Sequence, residues 1–127
     1  MLIFFAAGLE AAVGLLLLVS PSPVASSLFG AELPEPGQTL GRLAGITLLA
    51  LAEACWPGPA APKHSLAALR GLLTYNLLAT AYFLYVGIDG RWAGVLLWPA
   101  AVLHAVVTAL ILRAWLVARS DRHSANR

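Results

Sequence analysis

Four stretches of this chain are almost uninterrupted apolar sequence, joined by short polar connections. The first runs from Met1 to about Ser20 and is interrupted only by Glu10. The second runs from about Leu40 to Trp56, the third from about Leu66 to Gly87, and the fourth from about Trp92 to Leu116. A helix needs ~20 residues to cross the hydrocarbon core of a bilayer, within a range of about 17–25. All four stretches fit, the second barely. Lipid cannot satisfy open backbone groups, so spans of this length must be helices. The expected fold is all-α: an integral membrane, antiparallel four-helix bundle over residues 1–117. The remaining residues, 118–127, form a polar, basic tail, expected to be disordered or bound to lipid.

The connections carry turn chemistry. The second, Pro57 to Ser65, holds three prolines and a glycine, and Ser65 is placed to cap the third helix. The third, Asp89-Gly90-Arg91, is short enough to force an antiparallel neighbour. The first, Pro21 to Thr39, is longer. Its apolar part from Val24 to Phe29 is expected to lie as a short helix at the membrane interface, and Glu32 to Gly37 is polar and broken by two prolines. Val24-Ala25-Ser26 offers small residues at a spacing like that of a signal-peptidase site. However, no Lys or Arg precedes the first apolar run and Glu10 lies inside it, so the segment is expected to be retained.

Composition agrees with a lipid environment. The 127 residues are 60% hydrophobic and 11% charged, against about 45–50% and about 25% in a soluble domain. The net charge of +2 does not mark a nucleic-acid partner. Arg42, Lys63, Arg70 and Arg91 are isolated, and the other basic residues trail toward the C-terminus. They read instead as a topology signal. With four spans both termini share one side, together with Lys63, Arg70, Arg113, Arg119, Arg122 and Arg127, while Arg42 and Arg91 fall opposite. Positive charge collects on the cytoplasmic side, so both termini are expected there, in a bacterial inner membrane. Trp56 and Trp115 would mark the inner interface, and Trp92 and Trp98 the outer one.

Helices in lipid associate through close packing and polar contacts. Small residues stand four apart at Ala7/Ala11, Gly8/Ala12, Gly41/Gly45 and Ala101/Ala105, all candidate contact points. Pro99 falls about two turns into the fourth span and is expected to bend it.

Charged residues inside a span cost roughly 2.5–3.5 kcal/mol on insertion scales, so each calls for a partner. At ~1.5 Å per residue, Glu10 lies near the middle of the first helix, Tyr75, Asn76 and Thr80 near the middle of the third, and His104 near the middle of the fourth. Thr108 follows one turn later. Asn76, Thr80 and Phe83 share a helix face. Glu10, Asn76 and His104 are therefore expected to meet inside the bundle with Tyr75 nearby. Such a cluster serves as structural glue that sets helix register, as a pocket for a lipophilic ligand such as a quinone head group, or as a proton path. Glu53 and Arg70 flank the second connection and are expected to form an ion pair. Arg42 is expected to reach the head groups or pair with Glu32 or Glu35. The single cysteine, Cys55, rules out a disulfide within the chain and reads as a buried thiol. One cysteine and three scattered histidines do not make a metal site.

The order of features resembles the small bacterial four-helix membrane proteins called DoxX-like and the uncharacterised families around them. The resemblance rests on Glu10 in a Gly/Ala-rich first helix ending Leu18-Val19-Ser20-Pro21, then Leu28-Phe29-Gly30, then Leu40-Gly41-Arg42-Leu43-Ala44-Gly45, then Phe83-Leu84-Tyr85-Val86-Gly87. It implies a membrane subunit associated with redox chemistry, since a few DoxX relatives are described as the membrane subunit of a thiosulfate:quinone oxidoreductase. No residue matches a catalytic motif of that family.

With so little chain outside the spans, the expected function is that of an accessory or interaction protein with no catalysis of its own. Its partners would be the bilayer and another membrane protein or a second copy of itself. The alternatives are a redox-linked subunit holding a quinone near Glu10, Tyr75, Asn76 and His104, and a small transporter, which would have to oligomerise.

Overall fold

In the computed structural model every described element is a helix. The structure describes residues 2–56 and 66–125, with side chains in the last helix as far as Val117. Ser65 and the rest of the second connection lie outside the described residues.

The helices are α1 (Leu2–Val19), α2 (Pro21–Phe29), α3 (Glu35–Cys55), α4 (Leu66–Asp89) and α5 (Leu97–Ala125). Prolines set several boundaries. Pro21 pushes Ser20 out of the helical region (φ −147°, ψ 80°) and opens α2 at a position where its missing N–H costs nothing. Extended Pro34 caps α3, and Pro36 sits in its first turn beside Glu35, whose charge suits the helix N-terminus. α3 thus begins at Glu35 rather than near Leu40. Gly30 and Gly90, both left-handed, end α2 and α4. The short helix expected over 24–29 is present and starts three residues earlier.

Three expectations about the last helix are corrected. α5 begins at Leu97, not Trp92, because residues 91–96 dock onto α2 instead. The amide of Gly94 donates to the Leu28 carbonyl at 2.9 Å and that of Leu96 to Ser27 at 2.8 Å, satisfying carbonyls left open at the end of α2. Only glycine fits at 94, because a Cβ there would run into the Ser27 carbonyl. Pro99 therefore falls in the first turn of α5, where no intrahelical donor is lost, and it does not bend a span. At the other end α5 continues to Ala125, so residues 118–125 are helical rather than disordered. This stretch contains no Gly or Pro to stop a helix.

α1 packs chiefly on α3, and α4 on α5. Both pairs are antiparallel. Phe4 meets Trp56 edge-to-face, with ring centroids 5.6 Å apart, while Gly41 lies against Pro21 at the other end. The α1/α3 crossing is set by two glycines. A Cβ on Gly45 would stand 2.6 Å from the Gly14 carbonyl oxygen and 2.7 Å from the Leu18 nitrogen, so the backbones themselves touch. In the other pair the indole ring of Trp98 packs against Gly87. The pairs join where Cys55 Sγ faces the Ala68 carbonyl at 3.7 Å, within a core of Ile3, Ala6, Ala7, Leu69, Leu72, Val107 and Ile111. Of the small-residue steps in the sequence, Gly41/Gly45 lies wholly at contacts within the chain. Ala7 and Ala101 are buried, but Ala12 and Ala105 are exposed and Gly8 faces open space.

Large apolar side chains are exposed on every long helix: Phe5, Leu43, Leu78 and Val102 are each more than half exposed. α1, α4 and the Leu97–Val117 part of α5 are long and apolar enough to cross a membrane. α3, at 21 residues, is about 31 Å long, but its polar first turns with Arg42 and Glu53 leave it less apolar than the other three.

Candidate functional site

The four residues that the sequence placed at one level do converge. Among the described residues, Glu10 of α1 and Asn76 of α4 are the buried polar side chains, at 1% and 0% exposure, and the half-buried His104 of α5 completes the layer.

Asn76 is the hub, and α4 itself holds it. Its Nδ2 donates to the Leu72 carbonyl one turn back at 2.9 Å, and its backbone carbonyl accepts from Thr80 Oγ1 at 2.7 Å. A carbonyl can only accept, so the atom facing Leu72 must be the amide nitrogen. Asn76 Oδ1 is thereby turned toward α5, where it meets His104 Nδ1 at 2.8 Å. Since Oδ1 accepts, Nδ1 carries the proton. In a neutral imidazole that leaves Nε2 with an open lone pair. The imidazole lies between two rings of α4, Tyr75 at 5.8 Å (75° between planes) and Phe83 at 5.4 Å (42°). Phe83 comes to this place because it shares the Asn76 face, seven residues on.

Glu10 reaches the cluster from α1. Its carboxyl faces the Tyr75 hydroxyl and the Asn76 amide, and that amide has a second proton not used by Leu72. Glu10 Oε1 is nevertheless buried with no hydrogen-bond partner among the described residues, and so is Thr108 Oγ1, one turn beyond His104. Leaving such a group unmatched costs about 1–3 kcal/mol. Native proteins commonly meet this cost with a bound water or a polar ligand atom. In chemical terms the layer holds a carboxyl, a phenol and an imidazole within one hydrogen-bonded network. It can orient a small polar head group or pass a proton between neighbours. Among the described residues no group of three His, Cys, Asp or Glu could hold a metal ion.

The expected Glu53–Arg70 ion pair is not formed. Both residues are exposed, and the one ion pair among the described residues joins Arg91 to Asp89 at 2.7 Å. The reason is helical phase. The α3/α4 contact is made by Cys55 and Ala68, and Glu53 and Arg70 each stand two residues from these, about 200° around their helices. Arg42 likewise pairs with neither Glu32 nor Glu35. Glu53 instead borders a hollow of about 310 Å³ between α1 and α3, with Ala11, Leu49, Ala52 and Trp56. Gly14, the partner of Gly45, is the structural residue that sequence reasoning passed over. Its signal was a glycine in a helix otherwise rich in leucine.

No protein-family model matches the chain, and no significant match is found among curated proteins or solved structures.

Proposed function

We propose that this chain is a small accessory protein of the bacterial inner membrane, with four spans and both termini cytoplasmic, that binds another membrane protein. α3 serves as the fourth span, held between α1 and α4. The observation that carries the reading is the distribution of polarity. Large apolar side chains point outward from every long helix, while Glu10 and Asn76 point inward and face one another. Among the described residues, almost no folded surface lies outside the helices to hold a soluble substrate. The DoxX-like resemblance fits this reading, since it too implies a membrane subunit.

Purification from the native membrane in mild detergent, followed by mass spectrometry, tests it. A partner present in stoichiometric amount supports the proposal. A chain that runs alone under every mild condition sinks it.

A second reading, that the Glu10 layer holds the head group of a quinone or another lipophilic molecule, draws support from the unmatched Glu10 Oε1 and Thr108 Oγ1. It requires a small molecule to co-purify with the chain and to be lost in both Glu10→Ala and His104→Ala. Retention in either variant removes this reading and leaves the first intact.

A further inference from the structure

α3 carries charges of both signs on one exposed face. Arg42 and Glu53 are eleven residues apart, about three turns and about 16 Å along the axis, so they project in nearly the same direction with Ile46 and Leu49 between them. The contacts of α3 with α1 fix their level. Gly41 lies at the Pro21 end of α1 and Trp56 meets Phe4 edge-to-face at the other end, so both charges fall within the length of a helix apolar enough to span. The hydrocarbon core is ~30 Å thick, nearly twice their separation. At least one charge therefore lies inside it wherever the helix is set. Arg can extend its stem to the head groups, but the short Glu side chain has much less reach. Neither residue has an ion-pair partner among the described residues.

The same side of the molecule is recessed. Glu53 borders the hollow of about 310 Å³ between α1 and α3. Gly8, one turn from Ala11, has nothing within 4 Å of where a Cβ would stand, so another backbone can approach closely there.

We propose that this α1/α3 groove receives a transmembrane helix of a different membrane protein, one with an acidic residue at the level of Arg42 and a basic residue about three turns along at the level of Glu53. This rests on the accessory-protein reading and names the chemistry of the partner. A second copy in the same orientation would set Arg42 against Arg42 and Glu53 against Glu53, and an acyl chain would leave Glu53 uncompensated.

The test places the photo-crosslinking residue p-benzoylphenylalanine at Ile46, within the groove face, or at Leu78, an exposed position on α4, in the full chain in its native membrane. The expected result is capture of one protein from Ile46, through a transmembrane peptide bearing an acid and a base about three turns apart. Arg42→Gln and Glu53→Gln should each lower capture roughly threefold, the equivalent of the ~0.6 kcal/mol typical of interhelical polar contacts. Gly8→Leu should lower capture while leaving the thermal stability of the purified chain unchanged. Capture of a second copy, of lipid alone, or of a helix without those charges overturns the proposal, as does capture indifferent to both charge substitutions. Capture from Leu78 but not from Ile46 removes the groove and leaves the accessory reading standing; capture of no protein from either position removes both.

Discussion

Replacing Asn76 by Leu keeps the branching of the side chain at Cγ and removes the hub of the polar layer. Three partners are affected. The Leu72 carbonyl keeps its backbone bond in the helix and loses little. His104 Nδ1 loses the acceptor at 2.8 Å, and Glu10 loses the amide that faces it. An interhelical polar contact in a membrane protein contributes ~0.6 kcal/mol on average and about 1.7 at most. A buried donor left without an acceptor costs about 1–3 kcal/mol. His104 is only partly buried, which places the loss toward the lower end, about 1–2 kcal/mol. The assay is reversible unfolding in mixed detergent micelles, run as a double-mutant cycle with His104→Leu. The expected coupling between the two positions is about 0.6–1.7 kcal/mol, and nitrogen NMR of the wild-type imidazole should find the proton on Nδ1. A coupling indistinguishable from zero, or a proton found on Nε2 with Nδ1 bare, would refute the reasoning, since either result means that Oδ1 is not the acceptor of an Nδ1–H bond.

Other substitutions probe the packing. Gly45→Ala puts a methyl group 2.6 Å from the Gly14 carbonyl oxygen, forcing α1 and α3 apart, and should cost about 1–3 kcal/mol in the same unfolding assay; an unchanged midpoint would show that the backbones are not in contact. Gly8→Ala meets nothing within 4 Å and should stay within about 0.5 kcal/mol of wild type in the purified chain. Pro99→Ala should leave the stability nearly unchanged, because residue 99 lies in the first turn of α5; a large change would mean that the helix begins earlier. Glu53→Gln and Arg70→Gln should be additive within about 0.3–0.5 kcal/mol, whereas an ion pair between them would appear as coupling.

The sequence was sufficient for the helical class, for the placement of α1 and α4, and for the level at which Glu10, Asn76 and His104 meet. These follow from local rules: the length of an apolar run sets a helix, and a constant rise per residue sets depth. That constant rise needs no knowledge of neighbours, which is why residues on three different helices were correctly put in one layer. The misjudged features each depended on a neighbour. In the sequence Pro99 reads as a kink because nothing local reveals that residues 91–96 are spent docking on the open carbonyls of α2. Glu53 and Arg70 stand at matching depths, but depth is not direction. The helical phase that turns them apart was set by the Cys55–Ala68 contact and by the crossing of α1 and α3 at Gly14 and Gly45. A crossing of that kind is a property of two surfaces fitted together, so only the tertiary structure could decide which small residues meet and which, like Gly8, are left facing outward.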